Sequence, residues 1–82
     1  MILDSVCVVV EYTKITNDNG EFYYQDRILE DKVFYGKGAA SDAHDAALAA
    51  DELNGMYKTS ERHYGAVRMD YEDAVKEGLI NV

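Results

Sequence analysis

The sequence predicts an α+β domain: a two-layer sandwich in which an antiparallel β-meander carries one main helix, in the order β-β-β-α-β-α. Three observations lead there. β-branched and aromatic residues crowd the first third of the chain. Asn19-Gly20 stands between two such runs, the pattern of a tight hairpin. An Ala-rich segment follows, with Ser41 at its start and Gly55 at its end as helix punctuation. A single domain over residues 1–82 is expected, and an apolar content of 48% suffices for a core.

Taken in order, Ile2 to Thr13 reads as the first strand. Val6, Val8, Val10 and Tyr12 share one face; Cys7, Val9 and Glu11 share the other. Asn17-Asp18-Asn19-Gly20 turns the chain, and Glu21 to Leu29 returns as the second strand. Glu30-Asp31 reads as a second turn, and Lys32 to Gly36 as a short third strand. Gly36-Lys37-Gly38 breaks the pattern before a helix over Asp42 to Asn54, capped by Ser41. Its expected buried face is Ala43, Ala46, Ala47, Ala50 and Leu53, a small-residue stripe that lets the helix axis lie close to a sheet. Arg62 to Met69 reads as a fourth strand. Asp70 then caps a short helix, Tyr71 to Glu77, which Gly78 stops. Leu79, Ile80 and Val82 form an apolar tail that packs on the core or meets a partner.

Charge and cysteine use narrow the function. Sixteen acids against eight bases give a formal net charge of −8. That opposes binding to nucleic acid or an anionic membrane, because phosphate contacts need Lys and Arg. No apolar run is long enough for a membrane span, and the valine run lacks the basic region and cleavage site of a signal peptide. The lone Cys7 lies within that run and reads as a small buried hydrophobe, which suits a reducing, cytoplasmic setting.

Motifs for chemistry are wanting. Gly36-Lys37-Gly38 lacks the dinucleotide and Walker patterns, and Asp42 and Asp45 after it would repel a phosphate. His44 and His63 have no ligand partner at helical spacing, and one cysteine makes no structural zinc site. Aligning Gly20 with the calcium-loop glycine puts Ile15 at the first ligand position, so that register fails. Ser5, Ser41 and Ser60 lie in no nucleophile elbow. No catalytic residue, cofactor or metal is expected, and the chain reads as a non-enzyme.

Two features point to a partner instead. Asp42, Asp45, Asp51 and Glu52 lie in an Ala39–Tyr57 segment without Lys or Arg, and Asp70, Glu72 and Asp73 add to the acidity near the C-terminus. Such a face can dock on a basic groove, although acids at helix N-termini also have a purely local role. Seven tyrosines are the second feature; Tyr23, Tyr24, Tyr35, Tyr57 and Tyr64 are expected to crowd one side of the sheet, with Tyr23 and Tyr35 as candidate contacts.

The stretch Ala46-Ala47-Leu48-Ala49-Ala50-Asp51-Glu52-Leu53-Asn54, followed by Tyr64-Gly65-Ala66-Val67, resembles a pattern in small uncharacterised bacteriophage accessory proteins. It covers roughly residues 33–71. The resemblance implies a phage accessory protein that modifies or inhibits a host protein, and transfers no functional residue. Three readings stand at this level. The first is a protein-interaction module acting through an acidic, Tyr-containing surface on a partner with a basic surface. The second is a DNA mimic that inhibits a nucleic-acid-binding enzyme. The third is a small ligand-binding or enzymatic domain whose site forms across an oligomer. Open sheet edges make a homodimer an added expectation.

Overall fold

The computed structural model describes residues 5–80. The elements are β1 (Ser5–Thr16), β2 (Phe22–Phe34), α1 (Ala39–Tyr57), β3 (Arg62–Asp70) and α2 (Tyr71–Lys76). The fold is α+β, with one three-stranded antiparallel sheet in the order β2-β1-β3. The proposed start of the first strand before Ser5, and Val82 of the tail, lie outside the described residues.

The expected six-element order is corrected to β-β-α-β-α. Glu30-Asp31 does not turn the chain. Val10 pairs with Ile28 and Val8 with Val33, so Leu29, Glu30, Asp31 and Lys32 share the place opposite Val9. The charged residues are extruded as an enlarged bulge, and the chain resumes its pairing with β1 in the same direction. A turn and a bulge draw on the same polar residues. Here the strand continues because Val33 and Phe34 still find β1 partners.

The hairpin turn forms where expected, but as a three-residue loop, Asp18–Gly20, closed by Asn17 and Glu21, in which Gly20 and not Asn19 has positive φ. Gly20 has φ 83°, a conformation that suits glycine, and the Asn17 carboxamide oxygen accepts from the N–H groups of Asn19 and Glu21, both at 3.0 Å.

The layering also differs from the expected two. Val6, Val8 and Val10 pack with Ala74 and Ile80, and Leu79, Tyr71 and Val75 join them. Val9 packs from the other side with Ala50 and Tyr64. Helix α1 therefore covers one face of the sheet, and α2 with its following residues covers the other. The central strand is sealed twice, and Val6 to Val10 are all buried. Ile80, only 5% exposed, settles the described part of the apolar tail as core.

Helix α1 begins three residues earlier than expected, at Ala39 after Gly38, so Ser41 is not its cap. It also runs through Gly55 to Tyr57. Its inward line is Asp42, Ala46 and Ala50, while Ala47 is exposed. Helix α2 ends at Lys76, one residue before the expected Glu77, and Asp70 stands at its N-cap position without a side-chain capping bond; Gly78 stops it as expected. Gly78 has φ 75°, its N–H bonds to the Val75 carbonyl, and Leu79 N–H bonds to the Ala74 carbonyl. This 6→1 and 5→2 pair is a Schellman stop, and it folds Leu79 back onto the core.

Candidate interaction surface

The acidic residues do not make one surface. Asp42 is only 4% exposed, and its Oδ1 accepts the Lys37 N–H at 3.3 Å. Asp45 pairs with Lys37 Nζ at 3.3 Å. Both aspartates tie down the Gly36–Gly38 loop. Lys37, just ahead of the helix, supplies the opposing charge that the segment itself lacks. Asp51 and Glu52 are exposed on α1. Asp70, Glu72 and Asp73 are exposed at α2, across the sheet from α1. A DNA mimic would need exposed acids spaced like phosphates over a common face, and here Asp42 is buried and the two helices lie on opposite sides of the sheet.

The tyrosines divide as well. Tyr64 is buried under α1 at 8% exposure. Its hydroxyl donates to Glu11 Oε2 at 2.9 Å, and Glu11 Oε1 faces Arg27 at 3.5 Å, giving a polar rung across all three strands. Burial and the Glu11 carboxylate both push the Tyr64 phenol above its ordinary pKa. Tyr35 lies beyond β2 near Asp42 and Asp45, around a shallow hollow of about 250 Å³. Tyr23 stands at the other end of β2. The residues expected to form a contact patch are therefore dispersed.

A different group converges. Strands β1 and β2 extend past the helices in a molecule of 50 × 26 × 17 Å, and their hairpin end is lined with rings. Tyr12 pairs with His63, Lys14 with Tyr24 and Thr16 with Phe22, which puts these side chains on the α2 side of the sheet. Tyr12 and His63 stack at 4.9 Å between centroids. Tyr24 meets His63 edge-on at 5.3 Å and Phe22 edge-on at 5.9 Å. Lys14 Nζ sits 4.3 Å from the Phe22 centroid. Tyr12 can lie flat here because Gly65 is beside it: a Cβ on Gly65 would come within 3.2 Å of the Tyr12 ring. Phe22, Tyr23 and Tyr24 are 56%, 59% and 49% exposed. Consecutive residues alternate faces, so Tyr23 presents its ring on the α1 side and the edge is aromatic on both sides.

The sequence holds part of a signal for this platform. Alternation gives Tyr12/Lys14 a common face and Phe22/Tyr24 a common face, but a two-residue Asn19-Gly20 turn would set Lys14 opposite Gln25; the three-residue loop Asp18–Gly20, closed by Asn17 and Glu21, brings the two pairs to the same side. The arrival of His63 needs the third strand. Among the described residues, a shallow depression of about 450 Å³ is lined by five successive residues, Arg27 to Asp31. Among the described residues, no group of three or more His, Cys, Asp or Glu could hold a metal ion, and no helix is long and apolar enough to cross a membrane. Comparison with protein-family models, curated proteins and solved structures gives no match.

Proposed function

We propose that this protein is a non-catalytic interaction module that grips a partner protein through the aromatic hairpin end of its sheet. The observation that carries this reading is the exposure of Phe22, Tyr23 and Tyr24 by about half or more, side by side on an edge strand. Large rings held on a rigid sheet lose little freedom on binding and make good anchors. The net charge of −8 favours a partner with a basic surface and speeds its approach. The resemblance to phage accessory proteins makes bacterial host proteins the partner class to test first. Base stacking on the same rings is opposed by the net charge of −8, against which the cluster sets Lys14.

The test is photo-crosslinking in bacterial lysate, with a photoreactive residue at Tyr24 and a control at the exposed Leu48 of α1. A defined protein should be captured from Tyr24 alone. With the photoreactive residue kept at position 24, capture should fall at least tenfold with Phe22→Ser plus Tyr23→Ser, while Asp51→Asn plus Glu52→Gln changes it little. Capture that depends on the acids and ignores the rings would contradict the reading.

A further inference from the structure

The backbone of β2 carries a second feature, separate from its rings. Asn54 bonds both the N–H and the C=O of Tyr64, and Thr59 N–H bonds the Arg62 carbonyl, so these β3 groups point away from β1. Tyr64 is paired with Glu11, so Glu11 must aim its own backbone at β2, where it faces Arg27. Alternation then fixes the rest. Tyr23, Gln25 and Arg27 bond inward to β1, while Phe22, Tyr24, Asp26 and Ile28 present their N–H and C=O groups outward. Among the described residues from Phe22 to Arg27 every one is exposed, so nothing described covers this edge. The regular stretch is bounded by the turn at Glu21 and by the bulge that begins at Leu29.

We propose that Phe22–Ile28 pairs antiparallel with the same stretch of a second copy, about a two-fold axis at Gln25, to give a continuous six-stranded sheet. Several points select this occupant and this register. Centring on Gln25 uses the whole regular stretch with no overhang, since Phe22 lies opposite Ile28 and Tyr24 opposite Asp26. These are the outward-bonding residues, so every free N–H and C=O of the stretch finds a partner. On the other parity, Tyr23 meets Arg27 of the second copy, a favourable cation–ring pair, and the Gln25 amides meet each other on the axis. Asp26 and Arg27 cancel, so the stretch is neutral within a chain of −8. Moving the axis to Asp26 sets two carboxylates against each other; moving it to Tyr24 runs the pairing into the turn and leaves Arg27 and Ile28 without strand partners. A neutral, aromatic, uncovered edge is what monomeric proteins avoid, by charges, prolines or bulges, and here the bulge begins only where the self-complementary stretch ends. The inference concerns the strand edge and stands whether or not the ring face takes a partner.

The experiment is light scattering on the purified full chain over a rising concentration series, with three variants. The native chain should move from monomer to dimer mass by millimolar concentration. Asp26→Pro removes an outward N–H that β1 does not use, so it should hold the protein monomeric with an unchanged circular dichroism spectrum. Gln25→Lys sets like charges on the axis at an exposed side chain that the monomer tolerates, and should weaken dimerisation at least tenfold even if the proline variant folds poorly. Gln25→Cys should give a covalent dimer on mild oxidation, because opposed non-bonded residues lie about 4.5 Å apart at Cα, within disulfide reach. Tyr23→Cys, opposite Arg27, should not. A native chain that stays monomeric throughout, or a dimer that ignores Gln25→Lys and crosslinks no better through Gln25→Cys than through Tyr23→Cys, would overturn the proposal. Partner capture through Tyr24 should survive Gln25→Lys, which separates failure of the dimer from failure of the ring-face reading.

Discussion

Asn54→Ala is expected to destabilise the protein by about 1–3 kcal/mol, a large effect for a polar residue on a helix. Asn54 donates to the Tyr64 carbonyl at 2.9 Å and accepts the Tyr64 N–H at 2.8 Å. Its carboxamide thus replaces the neighbouring strand that β3 lacks on its outer edge. Removing it leaves a buried residue with both backbone groups unpaired. Alanine is the better helix former by about 0.5 kcal/mol, so the measured loss is a lower bound on the effect of the bonds. Asn54→Asp sharpens the test. It keeps an acceptor for the Tyr64 N–H but sets a carboxylate against the Tyr64 carbonyl, so it should recover little. Urea unfolding of the three proteins measures the difference. A loss below about 0.5 kcal/mol in both variants would show that water replaces the amide freely.

Val9→Asp is expected to prevent stable folding. Val9 has no exposed surface, and it lies in the strand that helices cover on both sides. An isolated carboxylate there has no partner and costs about 4 kcal/mol or more even after it takes up a proton. Small domains have only about 5–15 kcal/mol to lose. Val67→Asp is the matched control, since Val67 sits in the edge strand at 38% exposure. It should cost about 1 kcal/mol or less and leave the thermal transition cooperative. Equal effects at the two sites would contradict the covering of the Val9 face of β1 by α1.

Local physics made most of the elements legible. The Asn-Gly turn, the Ala-rich helix and the glycine stop after α2 each rest on a few neighbouring residues, and each was readable within them. What the chain hid is non-local. Glu30-Asp31 looks like a turn until β1 offers Val33 and Phe34 their partners. Asp42 looks like solvent-facing charge until the Lys37 amide is placed beside it. Gly55 looks like a stop, but Met56 and Tyr57 continue the helix. The second covering helix was implied by the valine run itself. A strand apolar on both faces, without alternation, has to be covered twice. As for the contact surface, acidity pointed to the helices, where local pairing uses part of it. The hairpin rings are exposed large apolar side chains, and their grouping follows from register, which the three-residue loop Asp18–Gly20 fixes.

Self-pairing through the β2 edge is tested most directly by amide hydrogen exchange along β2, read residue by residue at two protein concentrations. In dilute solution Tyr23, Gln25 and Arg27 should exchange slowly, and Phe22, Tyr24, Asp26 and Ile28 fast. At high concentration the second set alone should slow, by at least tenfold, as the outward groups find partners. If the fast set stays fast while the concentration rises, the edge is not a contact surface, and the account of this protein's self-pairing is wrong.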